Sequence, residues 1–226
     1  MAEIPKIALT QLSEYLVSTP GRRRAIVDEM NDPRPYIVAV YNDASDLMTR
    51  CCYGGDEGEP IAAAGIRQLR EKAASAILSD TQRQNARLCI EAVEAAVKMW
   101  DALNVQNREF VPLVQGTPPM VVEGVQISVR PEAIVRELNG RNRPNVGAVK
   151  FYFPKTKKLS AERAAYMGAI LHWFCENLFE NEADHRCSSV IDVVGGKAYA
   201  APKATKRKRD DIRGACEEIR IRCLGR

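Results

Sequence analysis

Histidine is nearly absent from this chain of 226 residues: only His172 and His185 occur. His172 lies in the apolar helical run LHWF, the setting of a core histidine, so a serine or cysteine triad has little to work with. The phosphate-cradling GxxxxGK, the dinucleotide-binding GxGxxG and the nucleophile-elbow GxSxG are all missing. No apolar run approaches the ~18 residues of a membrane span. The opening MAEIPKIALTQLSEYL has no basic-then-apolar signal pattern, and no internal repeat is visible. Cysteine is present seven times, but without the paired spacing of a zinc knuckle. The odd, scattered set predicts free thiols in a reducing, cytoplasmic compartment.

What is there is an ordinary globular composition, 46% apolar and 27% charged, with a net charge of +4. The length allows one sizeable domain or a domain with a helical attachment. Helical spacing of Leu9, Leu12, Leu16 and Val17 predicts a helix in 7–30, broken near Pro20-Gly21, with Thr10 or Ser13 at its start. Arg22, Arg23 and Arg24 follow as a basic cluster, either a solvated helix face or a phosphate contact. YIVAVY has strand composition, and the Gly-rich, acidic CCYGGDEGEP (51–60) predicts a loop. Residues 61–103 predict two helices, the second starting near Asp80 with Cys89, Val93, Ala96, Val97 and Trp100 on one stripe. A connector covers 104–120.

The central stretch runs from Val121 to Trp173. In VQISVR, Val125, Ile127 and Val129 alternate with polar residues, so one face of a strand is buried. Pro131 and Glu132 follow it. RELNGRNRPNVG predicts a turn-rich basic loop carrying Arg136, Arg141 and Arg143. AVKFYF predicts a second strand, with Val149, Phe151 and Phe153 on one side and Ala148, Lys150 and Tyr152 on the other. Lys150 stands out, because desolvating an ammonium is costly unless it is paired or snorkels from an edge. Ser160 caps a helix to about Phe179, on which Glu162 and Tyr166 share a face. SSVIDVVGGKAYAAP predicts a hairpin with a two-residue Gly-Gly turn, Asp192 sitting inside its apolar run. A basic segment with Lys203, Lys206, Arg207, Lys208 and Arg209 leads into a closing helix. Such a run is a solvated surface or a phosphate-tracking one.

The expected fold is α/β: a small mixed sheet of about four strands flanked by helices, with a helical region over 1–110 and the α/β core over 111–226. The order of its parts resembles the PD-(D/E)XK nuclease superfamily, in particular the RecB-like exonuclease branch: an entry helix with a proline followed by arginines, an acid after one strand, a lysine in the next, and a helix with Glu162xxxTyr166. The resemblance implies a restriction-endonuclease-like core and DNA as the partner. It implies Mg²⁺ held by Glu132 and a second acid, Lys150 stabilising the attacking water or phosphate, and Tyr166, with Glu162 in place of glutamine, holding DNA. It extends the DNA contact to Arg22, Arg23, Arg24, Lys203, Lys206, Arg207, Lys208 and Arg209. Ala148 stands where the family has its second acid, two positions before Lys150. Asp192 and Glu162, and more distantly Glu94, are candidates to replace that acid. Three functional readings stay open: metal-dependent phosphodiester hydrolysis of DNA, a non-cleaving nucleic-acid-binding or scaffold subunit, or a component of a protein assembly with no nucleic-acid role whose basic runs are solubilising, as a homo-oligomer or within a larger protein complex.

Overall fold

Two serines set helix starts where the pattern expects them. Ser79 Oγ accepts a hydrogen bond from the backbone N–H of Gln82, whose side-chain Oε1 in turn accepts from the Ser79 N–H, and α5 follows over Asp80–Val97. Ser160 accepts from the Arg163 N–H at the head of α6, Ala161–Phe179. The computed structural model describes residues 4–31, 40–103, 108–138, 140, 143–155 and 159–224. Over these, a helical N-terminal region (helices within 9–97) is followed by mixed sheets with flanking helices.

The N-terminal region begins with a short strand, β1 (Lys6–Ala8), then α1 (Leu9–Val17) and α2 (Pro20–Asn31). Pro20 does break the helix, but as the first residue of α2, a position where its missing N–H costs nothing. Of the strand expected at YIVAVY (36–41), residues 36–39 lie outside the described residues, and Val40 and Tyr41 form a turn before α3. α3 spans Asn42–Gly54 and α4 spans Gly58–Ala74. The loop expected over 51–60 is therefore corrected. Cys51 and Cys52 continue the buried stripe of Ala44, Leu47 and Met48, and that burial holds the helix through Gly54. The chain then turns at Gly55, whose φ is +54°.

The second half holds more strands than the four expected: β2 (Glu109–Val111), β3 (Met120–Val122), β4 (Val125–Ser128), β5 (Ala133–Leu138), β6 (Pro144–Tyr152), β7 (Ser189–Asp192) and β8 (Lys197–Ala200), before the closing helix α7 (Lys206–Leu224). They form two sheets, β1-β4-β3 and β2-β5-β6-β7-β8. β3 and β4 are a hairpin, since Glu123 and Gly124 both take positive φ, as a two-residue primed turn requires. The basic loop expected to begin at Arg136 starts later. Ala133, Val135 and the alternation around them make β5, which pairs antiparallel with β6 from Ala133↔Val149 to Leu138↔Pro144. The β7–β8 turn is also longer than two residues. Asp192 pairs with Lys197 and its side chain accepts from the Gly195 N–H, closing a four-residue connection, 193–196.

The five-stranded sheet separates two buried clusters. Ala133, Val135, Val149, Phe151, Phe153, Ile191 and Val193 face α3, α4 and α5. Ile134, Val146, Ala148, Tyr152 and Val190 face α1, α2, α6, α7 and the small sheet. The alternation of AVKFYF thus reads directly as two faces. The first cluster joins residues 44–96 to 110–193, and the second joins 7–27 to 120–219, so burial does not divide the chain at 110. No helix among the described residues is long and apolar enough to cross a membrane.

Candidate functional site

β5 begins at Ala133, paired with Val149, while β6 runs on to Tyr152 beyond that last pair. The Phe151 N–H is left without a strand partner, and the Glu132 carboxylate takes it at 2.9 Å. The other oxygen of Glu132 accepts from Ser45 Oγ of α3 at 2.7 Å and from Lys150 Nζ at 2.8 Å. Lys150 also donates to the Arg130 carbonyl at 2.7 Å. The acid and the amine thus meet, as the sequence led one to expect. They meet because β5 pairs with β6; VQISVR, the expected partner, belongs to the other sheet. A buried carboxylate is tolerable here because an ammonium and two further donors satisfy it.

This pair forms one wall of an open cavity of about 890 Å³ lined also by residues of α1, of α3, of the segment after β6 and by Arg163. Arg163, from the first turn of α6, is 6% exposed and forked. It donates to Ser13 Oγ (3.2 Å), the Tyr152 hydroxyl (2.9 Å) and the Thr10 carbonyl (2.8 Å). Glu14 lies at 3.7 Å from it and at 2.8 Å from Arg22. No sequence pattern pointed to the site roles of Arg163, Ser45 or Glu14; Ser45 reaches Glu132 and Arg163 reaches Ser13 from far along the chain.

The other expected residues go elsewhere. Tyr166 packs against α7, its hydroxyl donating to Asp211 at 2.8 Å and Lys208 lying over its ring; burial and then that bond push its pKa up to about 12. Glu162 is exposed on α6, and neither residue lines the cavity. Asp192 closes its own turn and Glu94 pairs with Arg70 on the helical surface. Arg22 pairs with Glu14 and Glu29, and Arg23 donates to the Tyr15 and Leu16 carbonyls, so these two tie α2 to α1. Arg209 lies against Glu176 and the Trp173 ring. Arg24, Lys203, Lys206 and Arg207 are exposed. His172 is buried, its Nε2 3.2 Å from Glu176, and burial pulls its pKa down. Burial raises the thiol pKa of Cys51, Cys52, Cys89, Cys175, Cys187 and Cys216, the opposite of an activated nucleophile.

The donor set does not suit Mg²⁺. That ion needs free carboxylate oxygens in near-octahedral array, and both oxygens of Glu132 already accept hydrogen bonds. Ala148 is fully buried in the core. Among the described residues no group of three or more histidine, cysteine or acidic side chains is placed to hold a metal. Neither a protein-family model nor a curated protein matches this chain.

Proposed function

We propose that this chain has the core of the PD-(D/E)XK nuclease superfamily, of restriction-endonuclease type, and acts on DNA by holding it rather than by cutting it. The observation that supports the ancestry is the Glu132–Lys150 pair, an acid and an amine presented from adjacent strands into one concave site. Against cleavage stand the engagement of both Glu132 oxygens and the apolar burial of position 148. Lys150 then serves as the counter-charge that a metal supplies in an active relative. The exposed Lys203, Lys206 and Arg207 at the head of α7 supply a phosphate-facing surface.

The same pair favours the rival reading, Mg²⁺-dependent hydrolysis with Glu132 as metal ligand and Lys150 at the reacting phosphate. One experiment separates the two. Linear duplex and single-stranded DNA are incubated with the protein and Mg²⁺ or Mn²⁺, and binding is measured over a salt series. Holding without cutting predicts affinity that falls steeply with salt and no product that depends on Lys150. Cleavage abolished by Lys150→Ala would return the hydrolytic reading; affinity absent or flat with salt would remove DNA altogether.

A further inference from the structure

The cavity beside the acid–amine pair has a chemistry of its own. Its volume of about 890 Å³ is at the upper end of the ~300–1,000 Å³ typical of small-molecule sites. That is room for a ligand of nucleotide size. Three cationic side chains line it, Arg130, Lys150 and Arg163, against two acids, Glu14 and Glu132. Both acids are already neutralised from within, Glu132 by Lys150 and Glu14 by Arg22. Of the first pair, the cavity meets the ammonium: the Lys150 side chain is 16% exposed and that of Glu132 only 2%. Two of the three ammonium donors are engaged, which leaves one for a ligand. Arg130 is exposed at the same wall, and its guanidinium pairs with no other described residue. It is thus a free fork of donors matched to a phosphate.

Aromatic side chains line the same cavity. Tyr41 is half-buried and stacks on Phe153, ring centroids 5.7 Å apart, while Asn42, Thr10 and Gln11 bring amide and hydroxyl groups to the same space. A planar base would find a π-face and polar edges there, which is how sequence-tolerant nucleotide sites are built.

We infer that this cavity binds one nucleoside monophosphate unit, its phosphate on Arg130 and Lys150 and its base against Tyr41. The unit is either a free nucleotide or the phosphorylated end of a strand. The inference rests on the reading of the pair given above, but does not use the α7 surface.

Titration calorimetry of the full chain with deoxyadenosine 5′-monophosphate, deoxyadenosine and inorganic phosphate tests it. The monophosphate should bind saturably and the unphosphorylated nucleoside at least tenfold more weakly. Arg130→Ala should weaken the monophosphate by roughly tenfold or more, the loss of one charge-assisted contact. Tyr41→Ala should weaken it roughly fivefold or more, while leaving inorganic phosphate unchanged. Arg67→Ala, an exposed arginine of α4 that does not line the cavity, should change none of these values. A 5′-phosphorylated single-stranded oligonucleotide competing with the monophosphate assigns the strand end as the source; binding without competition assigns the free nucleotide. Absence of saturable monophosphate binding, or equal affinity in Arg130→Ala, overturns the inference. Should the oligonucleotide still bind in a salt-dependent way, DNA holding survives that failure. Monophosphate binding without DNA binding has the opposite consequence.

Discussion

Replacing Lys150 by methionine removes the ammonium and keeps the stem that packs along the sheet. The Glu132 carboxylate, 2% exposed, would then retain only Ser45 Oγ and the Phe151 N–H. Breaking a buried pair by deleting one partner costs about 3–5 kcal/mol. Lys150 is partly exposed, and two donors remain to Glu132, which places the expected loss near the lower bound, about 3 kcal/mol. For a chain of this length that is roughly 6–12 °C in melting temperature, a large share of the ~5–15 kcal/mol of a typical domain. Urea unfolding followed by circular dichroism reads it. The decisive comparison is the double variant Lys150→Met/Glu132→Gln. A neutral amide can still accept from the Phe151 N–H and leaves no buried charge, so the double variant should be more stable than Lys150→Met alone. With Glu132→Gln alone as the fourth corner of the cycle, a double-variant loss smaller than the sum of the two single losses is the mark of direct contact. If Lys150→Met unfolds within ~0.5 kcal/mol of the parent, the range of an ordinary surface change, the two groups are not coupled and the site has been misread.

Three further outcomes are expected. Arg163→Lys keeps the charge but loses the fork that joins α1 to β6, and should cost about 2 kcal/mol in urea unfolding; an unchanged midpoint would mean that those bonds do not hold α1 in place. Gly147→Ala puts a Cβ into the Cys187 carbonyl and the Ser188 N–H, backbone that cannot swing aside, and should lose about 3 kcal/mol, whereas the open Gly21→Ala should be near neutral. The Arg186 guanidinium beside Asp184 holds its carboxyl down to about 2. A depressed carboxylate adds stability above its unfolded value, near ~3.9, and loses it as pH falls through the folded one. The stability difference between the parent and Asp184→Asn should therefore be full above pH ~5 and vanish toward pH 2; a difference that persists unchanged to pH 2 would contradict this assignment.

The local periodicities of the sequence carried the helices well. The helix expected from near Asp80 and the one capped by Ser160 are where the structure places α5 and α6, because capping and periodicity act within a few residues. The alternation of AVKFYF likewise determined two faces, because side chains of a strand alternate whatever its neighbours are. Composition misled at CCYGGDEGEP, where glycines and acids suggested a loop. Burial of Cys51 and Cys52 against the sheet decided for helix, a contact invisible within the segment itself.

The candidate site divides along the same line. Glu132 and Lys150 were legible as unusual residues, an acid after a proline and an amine in an apolar strand. That they touch depends on β5, whose pairing with β6 stops at Ala133 and Val149 and leaves the Phe151 N–H beyond it for the carboxylate to take. A period of two fixes which face a side chain occupies, but says nothing of which strand lies alongside, so VQISVR looked like a partner and went to the other sheet. Arg163, Ser45 and Arg130 reach the cavity only because three distant segments close around it. Periodicity and capping act over a few residues and are written in order along the chain; strand partners and cavity walls are chosen by the total surface buried, which only the folded molecule adds up.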